Sequence, residues 1–469
     1  MMFKKTLLAL SFAAASLAST SSFATENVDL LIQNATVLTM NQDRQIFDNG
    51  LVAIKDNKIV AVTDGSDIKE YHAKRTINAD GDIVMPGLIN THTHVSMTVF
   101  RSLADDVPDR LHRYIFPLEK ELVSREMVRI GARLGNIEML KGGVTTYADM
   151  YYFEDEVAKT VDEIGMRAVL GESVIKFPVA DAANAEEGIK YAVNFIKEYK
   201  DHPRITPAFA PHATYTNTTE ILQKITKLSL EHDVPVMIHL AESERENEVI
   251  AKRSNGKTPI EYMADIGALT HKLVGAHVIN ASDSDLDLLK KHDVGVAHNM
   301  SANIKSAKGV APVTKMLEKD IRVGLGTDGP MSGNTLSTID EFNQVAKVHK
   351  LINHDRAAMP PQQVIEMATI GAARALHMED TIGSLEDGKL ADIIIVDTKA
   401  PNMVPMYNPY SALVYSAYAM NVKHTIVDGK ILMQDRSMTT IDENEVRQEA
   451  QAFADKVRKT VIANGEAVQ

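Results

Sequence analysis

Apolar strand-like runs that recur roughly every 30 to 40 residues, with charge-rich helical stretches between them, predict an α/β fold built around a (β/α)8 TIM barrel. Shorter alternating runs near both ends of the chain predict a small discontinuous β-sandwich domain, formed by the N- and C-terminal segments. At 469 residues, of which 45% are hydrophobic, the chain is long enough to bury the core of a large barrel and an accessory domain.

The predicted organisation has five parts in chain order. They are a signal peptide over residues 1–24, the first part of the β-sandwich over 25–85, the barrel over 86–380, the second part of the β-sandwich over 381–440, and a C-terminal helix over 441–469. The boundaries follow the change from alternating runs to barrel-like runs and back again.

The first 24 residues are typical of a secretory signal peptide. Lys4 and Lys5 form its charged start, residues 6–18 its apolar stretch, and residues 22–24 a cleavage site with small residues. The apolar stretch is shorter than the ~20 residues that a membrane span needs, so we expect cleavage after Ala24 rather than anchoring. The mature protein is expected to be exported, and periplasmic if the source is a Gram-negative bacterium.

The two end segments share one pattern. Short apolar and β-branched runs between Val28 and Asp82, separated by turn formers, predict antiparallel strands. Comparable runs occur at residues 391–396 and 425–432. Neither set can bury both of its faces alone, so the two are expected to pair in one domain.

Eight apolar runs are assigned to the barrel strands. They cover residues 83–95, 143–150, 166–175, 205–215, 235–243, 273–280, 295–301 and 322–330. Helices are predicted between or after them, including 124–141, 186–199, 218–232 and 361–376. Because active sites of such barrels lie at the C-terminal strand ends, polar residues at these ends are the candidates for function.

Polar residues close most of these runs. The candidates are His92, His94, Asp149, His212, His239, Glu242, His277, His298, Asn299 and Asp328. A single histidine at a strand end is more often a structural hydrogen-bonding group than a ligand. Histidine recurs at five separate strand ends, and this recurrence indicates a functional site.

The first candidates form a metal site. His92 and His94 are two residues apart on a strand, so their side chains share one face about 7 Å apart. His239 adds a third imidazole, and Asp328 adds an anionic ligand after the last strand. With no cysteine in the chain, this set predicts one divalent metal, zinc or alternatively Fe²⁺, with a water molecule at the open position. Residues 205–215 contain no lysine that could be carbamylated to bridge two metals, which favours a mononuclear site.

Glu242 lies beyond the end of the strand that carries His239 and need not bind the metal. There it can take a proton from the activated water and deliver it to a ring nitrogen of a substrate. His277 is expected to hydrogen-bond the attacking oxygen, and Asp328 to orient the metal-bound hydroxide and accept its second proton. These roles predict hydrolysis at an sp² carbon, with release of ammonia from an amino-heterocycle as the best-fitting case.

Several motifs occur in the order expected of one superfamily. They are residues 85–94, 101–106 and 143–146, His239 with Glu242, residues 296–299 and residues 324–329. Together they resemble the amidohydrolase superfamily, and within it the 5′-methylthioadenosine/S-adenosylhomocysteine deaminases and the related chlorohydrolases of the TRZ/ATZ-like branch. The similarity runs from about Val28 to Asp435.

The resemblance implies roles for individual residues. His92, His94, His239 and Asp328 correspond to the zinc ligands, and Glu242 corresponds to the proton shuttle. The resemblance also implies that Glu119 contacts ribose hydroxyls and that His212 is a further substrate contact.

Three functions remain open at this point. The first is zinc-dependent deamination of an amino-substituted purine nucleoside such as adenosine, 5′-methylthioadenosine or S-adenosylhomocysteine. The second keeps the metal site but cleaves a C–N or C–Cl bond on a guanine, pterin or triazine-type ring. The third is an exported binding protein with a vestigial site, which Glu242 and Asp328 disfavour because binding alone needs no proton shuttle.

The charge of the chain limits its partners. The formal net charge is −13 and no basic run is present, so nucleic acid and anionic membranes are excluded as partners. A small-molecule heterocycle is the expected partner, and the mature chain is expected to lack membrane contact. The sequence leaves homo-oligomer formation open.

Overall fold

The computed structural model describes residues 26–66 and 71–468, which form a parallel barrel surrounded by helices and a separate mixed sheet. The predicted signal peptide over residues 1–24 lies outside the described residues. Across the described ranges, no helix combines the length and the apolar character that crossing a membrane requires.

Seventeen strands and fifteen α-helices are formed by the described residues. The strands are β1 (Glu26–Leu38), β2 (Ile46–Lys55), β3 (Lys58–Asp64), β4 (Tyr71–Asn78), β5 (Ile83–Pro86), β6 (Leu88–Thr93), β7 (Val144–Tyr151), β8 (Arg167–Val174), β9 (Ile205–Pro211), β10 (Val236–Leu240), β11 (Leu273–His277), β12 (Gly295–His298), β13 (Arg322–Leu325), β14 (Ile393–Val396), β15 (Val422–Val427), β16 (Lys430–Gln434) and β17 (Ser437–Met438). The helices are α1 (Phe116–Leu122), α2 (Arg125–Lys141), α3 (Glu154–Ile164), α4 (Ala185–Tyr199), α5 (Thr219–His232), α6 (Glu244–Arg253), α7 (Pro259–Asp265), α8 (Asp283–Lys291), α9 (Met300–Lys305), α10 (Val313–Glu318), α11 (Thr338–Ile352), α12 (Pro361–Ala368), α13 (Ile370–Ala375), α14 (Pro409–Tyr415) and α15 (Glu443–Ala463).

The mixed sheet joins the two ends of the chain, as the alternating runs predict. Its strand order is β17-β16-β15-β14-β5-β1-β2-β3, and β4 pairs with β1 beside this path. The prediction of purely antiparallel pairing is wrong for β1, which pairs in parallel with both β4 and β5. The turn at Asp80 and Gly81, both with φ in the left-handed region, carries the chain from β4 into β5 without reversing it, so both strands run in the same direction beside β1.

The eight parallel strands β6 to β13 follow one another around the barrel, which confirms the predicted fold class. The barrel interior is filled with small and medium apolar side chains, among them Ile89, Ala148, Val169, Ala208, Met237, Val274 and Ala297. The first and last strands are joined where the backbone N–H groups of Thr327 and Asp328 donate to His92 O, at 3.2 and 3.0 Å. Asn90 Nδ2 adds a bond to Thr327 Oγ1 at 2.8 Å.

Two predicted elements are divided in the structure. Residues 83–95 were predicted as one strand, but β5 belongs to the mixed sheet and β6 to the barrel. The chain changes sheets at Gly87, where a Cβ would lie 2.1 Å from Thr145 Oγ1. Residues 361–376 form α12 and α13, separated at Thr369, whose φ of −129° and ψ of −104° interrupt the helix.

Polar side chains cap the N-termini of several helices. The N-cap side chains of α2, α4, α5, α6, α7 and α8 each accept a hydrogen bond from a backbone N–H of the first turn. These caps are Ser124, Asn184, Thr218, Ser243, Thr258 and Ser282. The observed helices begin within one residue of the four sequence-predicted starts, at 124, 186, 218 and 361.

A buried ion triad connects the barrel to the mixed sheet. Arg167, at the start of β8, bonds Asp392 through Nε at 2.8 Å and through Nη2 at 3.2 Å. Its Nη2 also lies 3.3 Å from Asp428 Oδ1. The side chains of Arg167 and Asp392 are each only 3% exposed. The buried Asp392 therefore depends on Arg167 for charge compensation, and the half-buried Asp428 shares the same guanidinium group.

A pair of buried carboxyl groups lies at the C-terminal end of β8. Glu172 Oε2 accepts the N–H of Glu154 at 3.0 Å, and Asp181 Oδ2 accepts the N–H of Phe153 at 2.8 Å. The other oxygens, Glu172 Oε1 and Asp181 Oδ1, are buried without a hydrogen-bond donor. Burial, followed by the negative charge of Asp181, raises the pKa of Glu172 well above its ordinary value of 4.5, so Glu172 holds its proton more tightly than an exposed glutamate does.

We expect Arg167→Met to lower the free energy of unfolding by about 3–5 kcal/mol, because the carboxylate of Asp392 stays buried without a cation. Urea unfolding followed by circular dichroism measures this change. Lys315→Met, which breaks the exposed pair between Lys315 and Asp283, is the matched control and should leave the free energy of unfolding nearly unchanged. A similar small loss for both variants would contradict the proposed role of the triad.

We expect Glu172→Gln to change how stability depends on pH. In the folded protein the raised pKa of Glu172 keeps a proton that the unfolded chain releases above about 4.5, so wild-type stability falls as pH rises through that window. A glutamine amide can donate to Asp181 at every pH, so the variant should gain stability relative to wild type as pH rises above the ordinary glutamate pKa of 4.5. Thermal unfolding across this range tests the prediction. The control Glu248→Gln changes an exposed glutamate, so the stability of this variant should depend on pH in the same way as that of the wild type.

Candidate active site

Four predicted ligands meet at the C-terminal mouth of the barrel. One ligand atom each from His92, His94, His239 and Asp328 all lie within 4.8 Å of one another. His92 lies near the end of β6, His94 directly follows that strand, His239 lies near the end of β10, and Asp328 follows β13. Three of them are buried and His94 is half-buried. The structure thus brings together the residues that the strand-end pattern predicts as a metal site.

The hydrogen bonds of two histidines determine which ring nitrogens face the centre. His94 Nδ1 lies 2.6 Å from Met150 O, and His239 Nδ1 lies 2.7 Å from His212 O. A carbonyl oxygen only accepts, so both Nδ1 atoms carry protons and each Nε2 directs a lone pair inward. The two Nε2 atoms are 3.2 Å apart. Two lone pairs at this distance repel each other unless a proton or a metal ion lies between them, and the geometry fits two nitrogen ligands of one metal ion.

Asp328 completes the donor set with negative charge. Its Oδ1 lies 3.6 Å from His92 Nε2 and 3.3 Å from His94 Nε2. Burial favours the neutral acid, but the neighbouring imidazoles of His92 and His94 outweigh it and hold the pKa of Asp328 well below its ordinary value. The buried His92 Nε2 has no hydrogen-bond partner. Three imidazole nitrogens and a carboxylate are a donor set that suits a divalent transition metal.

Glu242 and His277 lie beside this cluster. His277 Nε2 is 3.8 Å from Glu242 Oε1 and 4.0 Å from Asp328 Oδ2. His277 Nδ1 donates to Asn303 Oδ1 at 2.8 Å, which orients the ring and leaves only Nε2 for the site. Glu242 is 18% exposed, so a small molecule that enters the mouth can reach it.

The backbone is strained around the candidate site. Ala241, His277, Val278 and Asp328 have φ values of 50°, 74°, 47° and 60°, in the left-handed region that glycine favours. For the β-branched Val278 this conformation is unusual and costly. These conformations aim the side chains at three strand ends into the candidate site.

The two substrate contacts that the resemblance implies also lie close by. The ring of His212 is 4.7 Å from that of His239, and burial lowers the pKa of His212 to about 4, so it is neutral near pH 7. Glu119, in α1, accepts a hydrogen bond from Tyr151 Oη at 3.0 Å. Burial raises the pKa of Glu119 to about 7, and the Tyr151 hydrogen bond partly offsets this effect. Contact of either residue with a substrate stays a prediction.

The remaining strand-end candidates lie behind the site. Asp149 Oδ1 accepts the N–H of Val95 at 2.6 Å, which secures the segment after His94. Asn299 Nδ2 lies 3.3 Å from His277 Nδ1. The Nε2 atom of His298 lies 3.2 Å from His349 Nε2 in α11, so these two buried rings form a pair of their own.

Sequence reasoning missed three residues that support the site. Asn303 holds His277, Tyr151 holds Glu119, and Lys308 donates to Glu242 Oε1. Tyr151 is the last residue of the apolar run in β7. Because functional residues of such barrels lie at the C-terminal strand ends, Tyr151 could have been predicted from the sequence. Asn303 and Lys308 lie in and after the short helix α9, where no periodic pattern marks them.

Comparison with known proteins extends this description. A sequence profile described as the amidohydrolase family matches residues 83–432. The chain is 41% identical over 433 residues to a 5-methylthioadenosine/S-adenosylhomocysteine deaminase of Syntrophobacter fumaroxidans, covering 92% of this chain and 98% of that protein. It is 40% identical over 433 residues to a 5′-deoxyadenosine deaminase of Methanosarcina mazei, with 92% and 98% covered.

A solved structure has a similar fold. It is an adenosine deaminase of Xanthomonas campestris with bound zinc, 31% identical, with a TM-score of 0.90 and coverage of 92% of this chain and 99% of that one. These matches confirm the resemblance that the motifs indicate.

Proposed function

The chain belongs to the amidohydrolase family, and on this premise we propose that it is a metal-dependent aminohydrolase that releases ammonia from an adenine nucleoside. The observation that carries the proposal is the cluster of His92, His94, His239 and Asp328 with Glu242 beside it. Relatives named as deaminases of adenine nucleosides support the choice of substrate class.

His92, His94, His239 and Asp328 would hold one divalent metal ion, which we propose to be zinc. A bound zinc ion supplies Lewis acidity, which activates water as a nucleophile near neutral pH. The support for zinc is the nitrogen-rich donor set and the zinc in the similar deaminase structure, and Fe²⁺ is the alternative.

The protein side chains move the protons of the reaction. Glu242 takes a proton from the attacking water and delivers it to a ring nitrogen, which makes the neighbouring ring carbon electrophilic. His277 Nε2 hydrogen-bonds the attacking oxygen, and Asp328 orients that oxygen and accepts its second proton. A C–O bond forms at the amino-bearing carbon, the C–N bond breaks, and the protons that water loses leave with ammonia and the new ring N–H.

Glu119 and His212 are the proposed contacts for the rest of the substrate. The carboxyl group of Glu119 is suited to accept hydrogen bonds from ribose hydroxyls, and Tyr151 holds it in place. The neutral ring of His212, beside His239, offers a further polar contact at the mouth.

The test is ammonia release by the purified, metal-loaded protein. Adenosine, 5′-deoxyadenosine, 5′-methylthioadenosine and S-adenosylhomocysteine form one set, and guanine, a pterin and an amino-triazine form the other. Turnover confined to the second set would refute the nucleoside proposal and leave the hydrolase assignment intact.

We expect Glu242→Gln to keep about one metal ion per chain but to lose turnover by several orders of magnitude, because the amide cannot shuttle a proton. His92→Ala should lose both metal and turnover. Metal analysis together with an ammonia assay separates the two effects. Unchanged turnover in Glu242→Gln, or stoichiometric zinc in His92→Ala, would contradict the assigned roles.

We also propose that the protein is exported and periplasmic, on the basis of the signal-like residues 1–24. When the full chain is produced in a Gram-negative host, the mature protein should be recovered from the periplasmic fraction. N-terminal sequencing should then begin at Thr25. Recovery of an uncleaved chain from the cytoplasm would overturn this proposal.

A further inference from the structure

The proposed proton shuttle has a partner that the metal site does not account for. Lys308 Nζ donates a hydrogen bond to Glu242 Oε1, the same oxygen that lies 3.8 Å from His277 Nε2. The Lys308 side chain is 37% exposed and that of Glu242 is 18% exposed, so this ion pair reaches inward from the mouth of the barrel. Among the described residues, no other lysine or arginine forms an ion pair with Glu242.

The backbone directs Lys308 toward the site. It follows α9, and its N–H donates to Asn303 O at 3.0 Å. Its neighbours Ala307 and Gly309 have φ values of 53° and 119°, so the chain turns sharply on both sides of it. Gly309 also packs closely, since a Cβ there would lie 3.2 Å from Ile279 Cγ2.

One residue therefore serves both neighbours of Glu242. The side chain of Asn303 accepts the proton of His277 Nδ1, and its backbone oxygen accepts the N–H of Lys308. Asn303 thus supports both His277 and Lys308, whose side chains approach the same oxygen of Glu242.

We propose that Lys308 is a positioning residue that holds the Glu242 carboxylate beside His277 for proton transfer. The ammonium group binds Oε1, the oxygen that lies 3.8 Å from His277 Nε2, and so fixes the orientation of the carboxylate. Glu242 takes one proton from the attacking water and returns it to the ring nitrogen. The carboxylate ends the step ionised, and Lys308 exchanges no proton.

This inference rests on the shuttle role of Glu242 under the proposed function, but its first test does not need turnover. Crystal structures of the metal-loaded wild type and of Lys308→Met are compared. We expect the Glu242 carboxylate to rotate away from His277 in the variant, and to keep its wild-type place in Lys308→Arg. An unmoved carboxylate in Lys308→Met overturns the proposal, whatever the rates.

The second test separates kcat from KM with adenosine and 5′-methylthioadenosine. Lys308→Met should lower kcat about 10- to 100-fold with KM within about twofold, because the carboxylate is misaligned while substrate contacts remain. Lys308→Arg should restore most of kcat. Metal content and thermal unfolding confirm that each variant is folded and loaded, and Lys315→Met is the control for loss of a lysine near the same loop.

Two kinetic outcomes would contradict the proposal. A higher KM with unchanged kcat would make Lys308 a direct substrate contact, and unchanged constants would make the pair a solvated surface feature. If wild type releases ammonia from no nucleoside, the proposed function fails, and the crystallographic comparison alone decides the role of Lys308.

Discussion

Two hydrogen bonds to one carbonyl oxygen, from the N–H groups of Thr327 and Asp328 to His92 O, join the first and last strands of the barrel. The same residues carry two of the four candidate ligands. Closure of the barrel and assembly of the metal site are therefore one structural event. Asn90 reinforces it by bonding both the hydroxyl and the N–H of Thr327. A barrel that closed in another register would not place His92 and Asp328 together.

The polar groups behind the ligands do much of the positioning. Backbone carbonyls of Met150 and His212 hold the Nδ1 protons of His94 and His239, so their inward nitrogens are free to bind metal. Asn303 acts likewise on His277. The unusual φ values of Ala241, His277 and Asp328 show that the backbone itself is held in costly conformations to aim these side chains. The stability of the packed barrel around these residues offsets the energetic cost of their backbone conformations.

Much of this site could be predicted because its residues obey simple periodic rules. The spacing of His92 and His94 and the position of His239 at the end of an apolar run follow from strand geometry alone. The break at Gly87 could not be predicted, because it depends on contact with Thr145 in another strand. The parallel pairing of β1 with β4 depends on the path of the chain between strands. Asn303 and Lys308 act through contacts with residues that are distant in sequence. A loop or a short helix has no periodic sequence pattern that would predict such contacts.

The mixed sheet has a consequence for how the protein is made. On the ribosome, β5 emerges early, but its neighbour β14 is translated only after the entire barrel. Until Ile393–Val396 appear, the backbone groups along one side of β5 have no partner. A stalled or prematurely terminated product that ends before them presents an open strand edge, and such an edge readily pairs with other chains. The order of the strands thus makes incomplete products prone to aggregation or degradation.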